Sequence, residues 1–578
     1  VLCFRVRWWR PPSSSGRPRS RPPPAAGGCA RAAQGCRRAA AFAARAVAAP
    51  LAALVVTAAS GAEEVWRDLF AFVLPVATRD TLVLLMGVGV LTATLGTGTA
   101  WLVAAHEFPG RRLFDWALLL PLAVPTYIVA YVYLDVLHPI GPVQTFIRAL
   151  IGVDSPRDFR LPDVRSMVGC ILLLSAVLYP YVYLTTRAMF MMQSANLIDV
   201  ARTLGHGPSR IFFRVAVPLA RPAVAVGVSL VLLETLNDIG ASEFLGIQTL
   251  TVSVYTTWVT RSNLPGAAQL ALAMLLVVVC VMAFERWARR RRRYANDAQH
   301  PRPLQRERLR GLQGTLAATA CGLPIFLGFI VPAWYLTDAT IARVSFAGIS
   351  PVIFVEMLNT VALSAIATLG TVVIALAVVY AVRTGPSLLP RLFLRVASIG
   401  YAVPGTVLAI GLLPIITGIE AVVDNAATSL LGISTGLFLL GSGAAIVYAY
   451  VARYLAISAG SIEAGFSRVS PSMDAAAQTL GASFRRVLWQ VHLPMLKPAL
   501  ATGALLVFVD CMKELPATLL LRPLGFETLA THLYGDAIRG TYEDGAIAAL
   551  LIVVAGILPV IVLTRVGTRA KLSPTTKS

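Results

Sequence analysis

The chain has 578 residues, 57% of them hydrophobic and only 14% charged, with a mean hydropathy of +0.72. A water-soluble protein of this length could not cover so much apolar surface with so few charges, which excludes a soluble enzyme or soluble binding module. The formal net charge of +21 sits in a few basic stretches without interleaved aromatic residues or a known module, so a nucleic-acid partner is not expected.

Residues 1–38 are rich in Arg, Pro, Ser and Gly, a composition that favours disorder. This tail fits a targeting peptide poorly and reads as an extension outside the fold. Apolar stretches of about 20 residues, long enough to cross a bilayer, then fall at 40–59, 82–105, 116–137, 166–187, 219–240, 266–284, 314–336, 360–382, 396–419, 430–456, 498–521 and 545–566. They are too long and too little alternating for barrel strands. Inside lipid each span must satisfy its own backbone, which means a helix. The expected fold is therefore an all-α polytopic membrane protein with about twelve transmembrane helices.

Charge orders these spans. Residues 1–45 hold ten Arg and no acid, and residues 285–312 hold ten Arg against Glu285, Asp297 and Glu307. Both stretches, with Arg111, Arg112, Arg383, Arg391 and Arg395, fall on one side if spans alternate. The opposite loops are mixed or acidic, as at Asp536, Glu543 and Asp544. The positive-inside bias puts both termini in the cytoplasm, 285–312 inside and 522–544 outside. The expected division is a tail 1–38, a first half 39–284, a basic linker 285–312, a second half 313–570 and a tail 571–578.

One pattern occurs twice, 276 residues apart. Asp199-Val200-Ala201-Arg202-Thr203-Leu204-Gly205 leads to Pro218, and Ala475-Ala476-Ala477-Gln478-Thr479-Leu480-Gly481 leads to Pro494. From Asp199 to Ala241, 14 of 43 positions are identical at that offset. Ala123-Val124-Pro125 also matches Ala402-Val403-Pro404, and Thr94-Leu95-Gly96-Thr97 resembles Thr368-Leu369-Gly370-Thr371. Thr249-Leu250 matches Thr528-Leu529 at an offset of 279. With six spans per half, the two halves share one orientation, related by an axis along the membrane normal. Asp199 is placed to cap a short helix, Gly205 to break it, and Pro218 to start the next span. Each copy thus reads as a helix–turn–helix on the cytoplasmic surface.

These residues resemble the EAA motif of ABC importer permeases, the inner-membrane subunits of binding-protein-dependent transport systems. The resemblance implies that each segment is a coupling helix seated in a groove of an ATPase subunit. It carries over to Asp199, Ala201, Leu204, Gly205 and Pro218, and to Ala476, Ala477, Leu480, Gly481 and Pro494. Asp199 stands where the family has Glu. The second copy has Ala475 there and Asp474 one residue earlier, so its cap is expected to differ. The implied partners are a cytoplasmic ABC ATPase dimer, an extracellular or periplasmic solute-binding protein and membrane lipid, in a bacterial inner membrane.

The run Asp510-Cys511-Met512-Lys513-Glu514-Leu515-Pro516, with its counterpart Glu234-Thr235-Leu236-Asn237-Asp238-Ile239-Gly240, is similar to permeases for ferric iron with two fused halves. Permeases for thiamine, sulfate, polyamines and phosphonates share the layout. Charges near a span are costly and mark function by default. Glu234, Asn237, Asp238, Asp510, Lys513 and Glu514 are therefore candidates either for a polar pathway lining or for pairing that locks the halves together. The six His show no HxxxH spacing, the seven Cys no CxxC, and there is no P-loop. No cofactor or metal bound by this chain is expected, and ATP hydrolysis falls to a separate subunit. A secondary transporter would also show parallel halves but would not need duplicated docking segments. A membrane enzyme would need a catalytic constellation at membrane depth, which is not found.

Overall fold

The computed structural model describes residues 26–61, 63–192, 201–290, 306–384 and 388–569. In the first half the helices are α1 Ala26–Ala59, α2 Trp66–Ala105, α3 Arg111–Ala117, α4 Thr126–Val136, α5 Pro142–Ile151, α6 Met167–Met192, α7 Pro208–Asn237, α8 Gly240–Phe244, α9 Leu250–Val259 and α10 Leu264–Arg290. The second half continues with α11 Leu312–Ala347, α12 Pro351–Thr384, α13 Leu388–Ile399, α14 Gly405–Leu431, α15 Ala444–Phe466, α16 Pro471–Thr479, α17 Leu488–Met512, α18 Pro516–Leu521, α19 Leu529–Arg539 and α20 Ala546–Arg569. Two short strands, β1 His106–Glu107 and β2 Glu307–Arg308, pair in parallel.

The all-α expectation holds. Among the described residues nine helices are long and apolar enough to cross a membrane, and Arg111–Ala123 with Thr126–Val136 makes a tenth, bent by 89°. Shorter apolar helices lie at Ala44–Ala59 and Ala546–Ile561, at two further positions of the expected twelve. Both faces of α2 are apolar. Leu84 and Val88 are buried, while Met86 and Val90 are exposed, an arrangement suited to lipid and not to water. Where α2 meets α6, Gly96 allows close approach: a Cβ there would lie 2.6 Å from Val182 Cβ and 2.9 Å from the Tyr179 carbonyl oxygen.

Several boundaries differ from the sequence reading. α1 starts at Ala26, inside the stretch assigned to disorder, because alanine, the strongest helix former, dominates from residue 30 onward. The span placed at 430–456 is instead the end of α14, a loop and α15. Gly432, Gly436 and Gly443 take positive φ in that loop. Its amides find side chains, with Glu420 accepting from Leu439 and Leu440 at 2.7 and 2.9 Å and Asp424 accepting from Thr435 at 2.7 Å. The spans placed at 219–240 and 498–521 both break before their ends, at Asp238 and at Lys513.

The chain divides into two compact units. The smaller comprises Val1–Leu51, Ser364–Val403 and Val447–Cys511. Its core joins Val378, Val379, Leu455, Ile462 and Leu496, and the Tyr448 hydroxyl donates to the Ala46 carbonyl at 2.9 Å. The larger comprises Ala52–Leu363, Pro404–Ile446 and Met512–Ser578. Here α11, the first helix of the second half, packs on first-half helices. Tyr133 donates to the Leu327 carbonyl at 2.9 Å and Tyr335 to Asp135 at 2.5 Å. Within each unit, then, the first helix of one half packs on the other half.

The internal repeat survives as bonding. The Leu250 amide donates to Thr81 Oγ1 at 2.9 Å, and 279 residues on, the Leu529 amide donates to Thr360 Oγ1 at 2.9 Å. Each bond ties a short helix after the fifth span to the second span of its own half.

Candidate functional site: two coupling segments and a broken-helix centre

The first coupling segment begins outside the described residues, which include neither Asp199 nor Val200. Residues 201–203 form a last helical turn. The Gly205 amide then donates to the Arg202 carbonyl at 2.9 Å and the His206 amide to Ala201 at 3.1 Å. In the second segment the Leu480 amide donates to Ala476 at 3.1 Å and Ala482 to Ala477 at 3.0 Å. Gly205 and Gly481 have φ of 77° and 75°, and a Cβ on either would meet no neighbour. The demand is thus backbone handedness, worth about 1–2 kcal/mol, and not space. Leu204 and Leu480, just before them, are 70% and 88% exposed. A bare leucine on a helix end closed by a left-handed glycine therefore occurs twice. Ala201 faces inward, packed with Ile211, Trp101 and Val215.

Pro218 and Pro494 do not start spans as expected. α7 is continuous from Pro208, and each proline follows a π-helical turn, Phe212–Ala216 or Leu488–His492. Proline lacks an N–H and crowds the preceding carbonyls, and a widened turn relieves this without ending the helix. Leu69–Val73 and Phe326–Ile330 precede Pro75 and Pro332 in the same way. Each coupling segment thus runs directly into its membrane span.

The fastenings differ. Asp474 sits in the first turn of α16, but its carboxylate serves Arg383, at 3.0 and 2.8 Å, and His492, at 2.7 Å. Arg383 also donates to the Phe466 and Val469 carbonyls and lies 5.0 Å from the Phe466 ring centroid. In the first segment Arg202 pairs with Glu307 of β2 at 2.6 Å. His106, on the paired strand β1, lines the recess between Trp101, Arg202 and Glu307, and burial holds its pKa below the usual 6.5.

In the larger unit, the breaks that end α7 and α17 lie against the starts of α4 and α14. Asp238 is buried and accepts from Thr126 Oγ1 at 2.6 Å and from the Ser242 amide and hydroxyl at 2.9 and 3.2 Å. Glu514, also buried, accepts from the Ala517 and Thr518 amides at 3.0 and 3.1 Å and from Thr518 Oγ1 at 2.9 Å. Each carboxylate bonds the first turn of the short helix that follows its break, as a cap does. Contacts also cross between halves: the Gly405 amide donates to Asn237 Oδ1 at 2.8 Å, and the Tyr127 hydroxyl to the Lys513 carbonyl at 3.3 Å. Asn237, Asp238 and Glu514 thus secure helix starts through their side chains at the breaks, and Lys513 contributes its carbonyl there. Glu234 and Asp510 lie half-buried, one turn before the breaks.

Sequence reasoning missed three residues nearby. Tyr534 on α19 donates to Glu243 on α8, and its ring meets that of Tyr255 on α9. The 279-residue offset of Thr249-Leu250 and Thr528-Leu529, followed six residues on, pairs Tyr255 with Tyr534 and could have found them. α19 is held in turn by His532, whose ring bonds Glu356 at 2.9 Å and Asp536 at 3.1 Å. Those two carboxylates push its pKa up to about 10. Among the described residues no group of His, Cys, Asp or Glu is arranged to hold a metal ion.

The sequence has counterparts among known proteins. Residues 94–294 and 373–570 each match the family described as binding-protein-dependent transport system inner membrane component. The Fe(3+)-transport system permease protein FbpB 2 of Haemophilus influenzae is 23% identical over 495 residues, covering 84% of this chain and 89% of that protein. The molybdenum transport system permease protein ModB of Escherichia coli is 29% identical over 197 residues, 33% of this chain and 82% of that protein.

Proposed function

Since the chain belongs to the binding-protein-dependent transport system inner membrane components, and so is a multi-pass permease subunit of an ABC importer, we propose that its two exposed segments dock a separate dimeric ATPase and that it passes ferric iron received from a binding protein outside. The observation that carries the docking is the pair of bare leucines, Leu204 and Leu480, each set on a helix end closed by a left-handed glycine. A hydrophobic knob on a rigid turn suits a groove on a partner. One chain supplies both docking points, one for each subunit of the ATPase dimer. The basic stretches support a cytoplasmic location for these segments and both termini, in a bacterial inner membrane.

The helices link docking to the pathway. α7 has 30 residues and spans about 45 Å at 1.5 Å per residue. It joins the first coupling segment to Asn237 and Asp238 without a break. α17 does the same between the second segment and Lys513 and Glu514. Drawing the two segments together on ATP binding moves these levers. Their far ends, held through Tyr127, Thr126 and Gly405, re-arrange the centre and expose the path to the other side.

The iron reading is supported by the match along most of the chain to an Fe(3+)-transport permease, and by carboxylates without a soft-ligand cluster, as a hard cation prefers. Asp238 and Glu514 already cap helices, so Glu234 and Asp510 are the better candidates to meet a cation. An oxyanion is the second reading, favoured by the match to a molybdenum permease. The test is reconstitution with the ATPase and binding protein, measuring ATP-dependent uptake of ferric iron, molybdate and sulfate. Iron uptake is expected. Molybdate or sulfate uptake with none of iron would overturn the cargo and leave the permease role intact.

A further inference from the structure

Tyr255 and Tyr534 stand 279 positions apart, the offset at which Thr81 and Thr360 make the same bond in the two halves. They are therefore equivalent residues of the repeat. Equivalent residues lie close together only near the axis that relates the halves. Their ring centroids are 6.0 Å apart, edge to face. Phe244 closes the group, its ring centroid 5.6 Å from that of Tyr534. Tyr534 and Phe244 are buried. Glu243 accepts the Tyr534 hydroxyl from across the repeat. Arg522, the cation beside Tyr255, is already paired with Glu527. Glu243 supplies the acidic group of this cluster.

We propose that Glu243, Tyr255 and Tyr534 form the extracytoplasmic closure of the translocation path, and that Glu243 is the carboxylate a cation meets when the closure opens. The proposal rests on the permease reading and on its orientation. α8, α9 and α19 follow the ends of α7 and α17 that lie opposite the coupling segments, so the closure is on the far side from the ATPase. Two halves that share an axis leave a path along it. Aromatic rings fill that axis by edge-to-face packing. The Tyr534–Glu243 bond ties one half to the other. Separating the halves breaks that bond, removes the ring contact and leaves the Glu243 carboxylate facing the opening.

The test uses the full chain with its ATPase and binding protein in proteoliposomes. Uptake by the unaltered chain is measured first. Absence of any ATP-dependent uptake there counts against the permease reading, separately from this one. Tyr255→Cys with Tyr534→Cys is then treated with a short bifunctional thiosulfonate, and the linked peptides are identified by mass spectrometry. Linking is expected without nucleotide, with loss of uptake, and is expected to fall at least fivefold when the ATPase is trapped with ATP and vanadate. Equal linking in both states, or no linking in either, overturns the closure. Glu243→Gln keeps an acceptor for Tyr534 and removes the charge. It is expected to lower ferric-iron uptake at least tenfold while the nucleotide dependence of linking persists. Undiminished iron uptake overturns the role of Glu243.

Discussion

Glu107 follows α2, and Arg383 lies in the last turn of α12, the second span of the other half. The opposite charges commit the two segments to different partners. Arg383 reaches into its own half and gathers Asp474, His492 and two carbonyls. Glu107 instead holds Arg111 at 3.0 Å and approaches Arg306 at 4.0 Å, beside the strand pair that brings Glu307 to Arg202. The second segment is thus mounted on its own helices, the first on chain that enters from the linker. Both present the same leucine and glycine, so the exposed helix end, and not its mounting, is what the repeat preserves. The mounting of the first segment is the more exposed: Arg202 and Glu307 are 33% and 45% accessible, against 16% and 22% for Arg383 and Asp474.

This contrast can be broken most severely at Asp474. Asp474→Ala leaves the Arg383 charge and the buried His492 without their carboxylate, and loss of one partner of such a pair costs about 3 kcal/mol. Faster hydrogen exchange in 471–492 with no change in 201–216 is the expected result. Equal change in both would deny the separate mounting.

Acid provides a milder and opposite probe. The folded-state pKa of His106 is depressed by burial. Its stabilising contribution is therefore complete above the unfolded value near 6.5 and is lost as pH falls through the folded value. Lowering pH from 7.5 to 5.5 should loosen 201–216, measured by limited proteolysis, and His106→Asn should remove that dependence. The smallest effect belongs to Glu307→Gln. It removes an exposed ion pair worth no more than about 1 kcal/mol, and ATP-dependent uptake should fall less than twofold, with the difference disappearing at high salt.

The apolar helices of the membrane and the duplicated segments were legible in the sequence because hydropathy and turn chemistry are local. The loop at 432–443 was not, since Ile433, Leu437 and Phe438 read as span while being exposed there. An apolar run does not say whether its backbone bonds come from a helix or, as here, from Glu420 and Asp424. The sequence left Asp238 and Glu514 open between pathway and structure. Their acid-then-Ser242 and acid-then-Thr518 spacing carried a capping signal, which the structure shows in use. The packing of α1 and α11 on opposite halves could not be read, because periodicity tells which face is buried and not against what. Asp474 was expected to replace a helix cap, and its true partners, Arg383 and His492, lie 91 and 18 residues away.

We propose that the two segments, however mounted, are equivalent docking points set by their left-handed glycines. Gly205→Glu with Gly481→Glu forces a side chain into φ near +75° at both sites, at about 1–2 kcal/mol each, without a clash against the rest of the chain. Copurification of the ATPase and ATP-dependent uptake, measured together on membranes with normal permease content, test this directly. Loss of both, with either single variant showing partial loss, is the predicted result. Normal copurification and uptake in the double variant would contradict the account.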